Sequence, residues 1–249
     1  MRLQIYSILA YVIKAGLLFA VLSLVSCSKD KDVPPLAVPQ PPVQPDSSKK
    51  FYTYLALGDS YTIGQSVAVE DRFPHLTVAR LKQLGFGVAV PEYIATTGWT
   101  TGNLLNAIES ANKKKDFSLV SLLIGVNNQY QGRDTGEYRK QFIQCLEKAL
   151  LHAGNKKDRV FVLSIPDYGA TPFGGMLDRK KITREIDAYN SINVFVSAQY
   201  GVSYINITPG SREALNDPEL VANDGLHPSG KEYRKWAELL ATRMATKLR

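Results

Sequence analysis

The chain has 249 residues, of which 45% are hydrophobic and 21% charged, and a formal net charge of +7. Six Lys and Arg against three Asp and Glu place +3 of that in residues 1–50, leaving +4 (7 − 3) for the rest. With no basic run longer than Lys113-Lys114-Lys115, that excess does not argue for nucleic-acid binding. Two cysteines and three histidines, without a His-x-x-x-His or Cys-x-x-Cys pairing, argue against a metal site.

In chain order, Arg2 precedes a mostly apolar run from Ile5 to Val25, interrupted by Lys14, that ends at Leu24-Val25-Ser26-Cys27. Small residues before a cysteine at the end of an apolar segment resemble the lipobox of bacterial lipoproteins. That resemblance implies a signal peptide over residues 1–26 and lipidation of Cys27, hence a membrane partner through an N-terminal lipid anchor. A transmembrane anchor is the competing reading, since the run is near the ~20 residues that span a bilayer. The apolar core from Ala15 to Val25 is signal-length, and Cys27 sits where cleavage would fall, which favours the lipoprotein. Residues 27–50 are charged, then rich in Pro and Val, and read as a linker; over 33–48 an extended chain would span roughly 50 Å. The expected location is the bacterial cell envelope, on the periplasmic or cell-surface side.

Residues 51–249 form one expected domain, large enough to bury roughly 70% of its unfolded surface. Strand-like segments at 52–57, 88–95, 119–124, 160–164 and 203–207 alternate with helical patterns at 74–84, 101–112, 137–152, 179–200 and 229–247. The run at 119–124 is the most continuously apolar, as befits a central strand covered on both faces. This alternation predicts an α/β fold: a three-layer α/β/α sandwich around a mainly parallel five-stranded sheet. A flavodoxin-like strand order, 2-1-3-4-5, would bring the loops after the first and third strands together at the switch point.

Four short motifs fall after expected strands or in loops: Gly58-Asp59-Ser60, Gly98, Gly125-Val126-Asn127 and Asp224-Gly225-Leu226-His227. Ser60, at a turn after a strand, is a candidate nucleophile; alone, Asp-Ser would more simply cap a helix. Asp59 is assigned to holding that turn. Of the histidines, His75 starts a helix and His152 ends one, whereas His227 lies in a loop with Asp224 three residues earlier, as a Ser-His-Asp triad requires. Oxyanion donors are sought in the amides of Ser60 and Gly98 and the side chain of Asn127. Cys145 sits in a helical apolar pattern and reads as buried packing.

These four blocks, in this order, resemble the SGNH hydrolases, also called the GDSL esterase/lipase family. The resemblance implies Ser60 as nucleophile, His227 as base, Asp224 as the third triad member, and Ser60, Gly98 and Asn127 as the oxyanion hole, in a three-layer α/β/α fold without a metal or organic cofactor. Tyr61 stands where the family name has Leu, and Asn128 where many members have Asp. The expected activity is hydrolysis of small acyl or acetyl esters of glycans or lipids through an acyl-enzyme, by a monomer. The loop 129–132 and the segment 166–177, with Tyr168 and Phe173, are candidate pocket walls. Two other readings compete: a glycan-binding lipoprotein with a vestigial site, and an acyltransferase using the same residues.

Overall fold

A computed structural model describes residues 51–113 and 115–248. Cys27, the expected signal peptide and the linker to residue 50 lie outside the described residues. In chain order the elements are β1 (Phe51–Tyr52), β2 (Tyr54–Gly58), α1 (Ser60–Ile63), α2 (Phe73–Gln83), β3 (Gly87–Val88), β4 (Glu92–Ala95), α3 (Thr101–Ser110), β5 (Leu119–Leu123), α4 (Val126–Tyr130), α5 (Thr135–His152), β6 (Val160–Leu163), α6 (Pro172–Gly175), α7 (Arg179–Tyr200), β7 (Ser203–Ile205), α8 (Thr208–Ser211) and α9 (Gly230–Leu248).

The main sheet is fully parallel, in the order β4-β2-β5-β6-β7. Counting its own five strands, this is 2-1-3-4-5, the expected order. The connection from β2 runs one way along the sheet and those from β4 onward run the other. Right-handed crossovers therefore put α2 on one face and α3, α5 and α7 on the opposite one. The contacts agree: α2 packs on α9, while α3 meets α5 and α5 meets α7.

Two expected strands are each divided. Pro91 has no N–H to give a ladder and interrupts the segment 88–95. On its two sides, Gly87–Val88 pairs with Phe51–Tyr52 in a separate two-stranded parallel sheet, and Glu92–Ala95 joins the main one. Thr53 separates β1 from β2; its carbonyl accepts the Leu119 amide (2.9 Å) and its hydroxyl the Ser118 amide (3.1 Å).

Every residue of β2, β5 and β6 is buried. Burying each Leu or Val of β5 is worth about 1.5–3 kcal/mol before ordering costs. The polar residue in that run, Ser121, shares a hydrogen bond with the buried Tyr54 hydroxyl of β2 (2.8 Å), so neither hydroxyl is orphaned. Helix α9 buries Tyr233, Trp236, Ala237, Leu240, Ala241 and Met244 along one stripe. Trp236 lies 6.1 Å from the Phe73 ring of α2 and 6.2 Å from the Tyr61 ring of α1, and its indole N–H donates to the buried Glu232 (2.7 Å). The helical layer therefore bears directly on the turn that carries Ser60.

Candidate active site

At the carboxyl end of β2 the chain turns at once into α1, whose first residue is Ser60. Asp59 caps this helix by accepting the Tyr61 amide (3.1 Å), which is the structural role expected of it, met with one amide. Its second carboxyl oxygen has no protein partner, and burial pushes the acid up to about 8 despite the Tyr61 bond. Tyr61, where the family name has Leu, is buried between two rings, 5.5 Å from His227 and 6.2 Å from Trp236. Its ring packs against the ring of the histidine.

His227 is held in a stapled loop. Val221 and Pro228 form an antiparallel bridge, the Ala222 amide donates to the His227 carbonyl (2.7 Å), and the Ser229 amide to the Leu220 carbonyl (2.9 Å). Across this loop His227 Nδ1 meets Asp224 Oδ2 at 2.6 Å, while Asp224 Oδ1 accepts the amides of Leu226 and His227, each at 2.9 Å. Oδ2 also accepts the hydroxyl of Ser66 (2.6 Å), a residue that sequence reasoning did not single out. Partial burial acts to raise the Asp224 carboxyl, but the bonds from Ser66, Leu226 and His227 outweigh it and hold the acid well below the usual carboxylate range. Asp224 is therefore ionised wherever the protein is folded near neutrality.

Gly98 follows β4 with φ of +79°, a left-handed conformation that favours glycine. Gly125, at the end of β5, has φ of +129°, and a side chain there would also collide with Tyr138 and Ile165. This turn delivers Asn127 and Asn128 to the loop between β4 and α3. Asn127 Nδ2 donates to the Trp99 carbonyl (3.0 Å), leaving a second N–H on the same nitrogen for another acceptor. Asn128, where many members of the family have Asp, is buried; it accepts the Thr101 amide (3.0 Å) and donates to the Thr101 hydroxyl (2.8 Å). An amide answers both a donor and an acceptor there, which a carboxylate does not.

Ser60, Gly98, Asn127 and His227 line one cleft of about 250 Å³. Its other walls include Gln65 and Thr97 on a polar side and Val126, Tyr130, Tyr168, Phe173 and Leu226 on an apolar side. Tyr130, Tyr168 and Phe173 come from both candidate pocket segments and touch one another with ring centroids 6.2–6.3 Å apart. The other two histidines are elsewhere: His75 is bonded to and stacked on Tyr93 (2.7 Å), and His152 is buried against Phe117. Cys145 is fully buried, and burial pushes its thiol up to about 12, which leaves it inert.

Residues 56–235 match the model of the GDSL-like Lipase/Acylhydrolase family. The chain belongs to that family. It is thus a carboxylic ester hydrolase. Among solved structures, this GDSL hydrolase is similar to TesA, at 18% identity and a TM-score of 0.63, covering 78% of this chain and 99% of that one. It is also similar to the psychrotrophic esterase EstA from Pseudoalteromonas sp., at 16% identity and a TM-score of 0.60, covering 79% and 98%. The acetylxylan esterase Axe2 from Geobacillus stearothermophilus aligns at 18% identity and a TM-score of 0.60, covering 78% and 94%. At these identities the likeness is one of fold. No curated protein matches this GDSL hydrolase in sequence.

Proposed function

We propose that this GDSL hydrolase cleaves short acyl esters through a Ser60-His227-Asp224 triad and a covalent acyl-enzyme. The observation that carries the reading is the 2.6 Å pairing of His227 Nδ1 with Asp224 Oδ2, with His227 on the same cleft as Ser60, Gly98 and Asn127. Asp224 keeps the proton on Nδ1, so Nε2 is free to act as base. Ser60 Oγ bonds to the ester carbonyl carbon as its proton passes to His227 Nε2. The tetrahedral oxyanion is met by the amides of Ser60 and Gly98 and the spare N–H of Asn127. Collapse breaks the bond to the alcohol oxygen, which takes the proton from His227. Water then repeats the sequence on the acyl-enzyme, with His227 as base, and frees the acid and Ser60.

The cleft supports small acyl groups: at about 250 Å³ it lies at the small end of ligand pockets, which favours an acetyl or short acyl group over a long chain. The three aromatic rings suit the face of a sugar or a short apolar chain. Chromogenic esters of increasing acyl length, with acetylated glycans and a lysophospholipid alongside, test this in wild type and Ser60→Ala. Turnover should fall with chain length and vanish in Ser60→Ala. Hydrolysis retained by that variant would sink the triad, and a preference for long acyl chains would sink the substrate assignment.

A further inference from the structure

Ser66 stands in the loop after α1 with φ of +69°, a conformation that a residue with a Cβ adopts at a cost and that Gly or Asn fills more readily. Its hydroxyl is directed at Asp224 Oδ2 (2.6 Å), the oxygen that also faces His227 Nδ1 (2.6 Å). With the amides of Leu226 and His227 on Oδ1, the carboxylate accepts four hydrogen bonds, filling the roughly four acceptor positions it has. No rotation of Asp224 then improves one bond without weakening another.

The preceding residue faces the opposite way. Gln65 Oε1 accepts the Thr97 hydroxyl (2.6 Å) beside Gly98, and its backbone amide bonds to the Ser60 carbonyl (3.0 Å). Two adjacent residues thus tie the turn of Ser60 to the loop of Gly98 and to the loop of Asp224. A serine whose only task was to end a turn would use the left-handed backbone but would not need a hydroxyl bonded to Asp224.

We propose that Ser66 is a positioning residue, its hydroxyl holding Asp224 in the orientation His227 requires and acting on the reaction through that carboxylate alone. The proposal rests on the triad reading above. The expected change is a loss in kcat with little change in KM, because Ser66 is absent from the cleft lining where substrate would sit.

The test is steady-state hydrolysis of p-nitrophenyl acetate by Ser66→Gly and Ser66→Ala, each alone and combined with Asp224→Ala, with Ser60→Ala as reference. Both single variants should lose roughly tenfold in kcat, in keeping with the strength of a charge-assisted bond. Ser66→Gly accepts the backbone conformation without strain, which offsets part of the lost hydrogen bond, and should melt within about 4 °C of wild type, so its loss in kcat is separable from unfolding. In the Asp224→Ala background, whose residual turnover remains above the uncatalysed rate, neither substitution should lower kcat further. Wild-type kcat in Ser66→Gly overturns the proposal, as does a tenfold loss that persists without Asp224. Wild-type turnover in Ser60→Ala would instead locate the failure in the triad itself.

Discussion

Substituting Asp224 by Asn changes one atom of the four-bond carboxylate, and its consequence follows from counting donors. The side chain faces four donors: two backbone amides on Oδ1, and His227 Nδ1 with the Ser66 hydroxyl on Oδ2. An Asn offers one oxygen and one NH2 group. Turning the NH2 toward Leu226 and His227 opposes donors to two fixed amides, so the oxygen stays there and the NH2 faces the imidazole. His227 Nδ1 must then accept, its proton moves to Nε2, and the nitrogen that should take the Ser60 proton already carries one. The wrong tautomer in a Ser-His-Asp triad costs about 10⁴ in kcat, or about 5 kcal/mol of transition-state stabilisation. Because the two amide bonds survive, the loop should keep its shape and the melting temperature should stay within about 2 °C of wild type. Asp224→Ala loses those bonds as well, at about 1 kcal/mol each, and should melt about 4–8 °C lower. Initial rates on p-nitrophenyl acetate, with melts followed by circular dichroism, read both effects. A loss below about tenfold in a normally melting Asp224→Asn would refute the tautomer argument.

Asn127→Ala removes the spare N–H and the bond to the Trp99 carbonyl, and should lower kcat about 10²–10³-fold with a smaller change in KM, measured on the same ester; an unchanged kcat would leave the oxyanion to the two backbone amides. Asp59→Asn keeps an oxygen to cap the Tyr61 amide while removing an acid that burial pushes up to about 8. Since that folded value lies above the unfolded one near 4, the contribution of Asp59 to stability is full below about pH 4 and drains away as pH rises toward 8. The melting-temperature advantage of Asp59→Asn over wild type should therefore grow from pH 5 to pH 8, and a difference independent of pH would contradict it.

Much of this was legible in the sequence where the physics is local. Helix α7 runs from Arg179 to Tyr200, as its apolar spacing predicts, because Asp178 caps its first turn and Gly201 its last. The segment 88–95 was less legible: its β-rich composition suited one strand, and the break at Pro91 decides only that pairing stops, not that the two halves join different sheets. The short helices α4 and α6 are not legible as helices, since four or five residues carry too little periodicity to register. The aromatic wall was legible as far as its two segments; Tyr130, Tyr168 and Phe173 touch one another and line the cleft together.

The sequence by itself determined the alternation that makes a parallel sheet, and the pairing of Asp224 with His227. Both rest on local signals, the first on apolar patterning within each segment and the second on a three-residue spacing whose geometry a tight loop sets. Only the tertiary structure decided that Ser60, Gly98, Asn127 and His227 share a cleft, and that Ser66 reaches Asp224 across 158 positions of chain. Those contacts exist because strand order reverses between β2 and β5 and the packing of α2 on α9 returns the end of the chain to the Ser60 turn. Such contacts arise from the summed burial of the whole core, so no short stretch of sequence carries their signature.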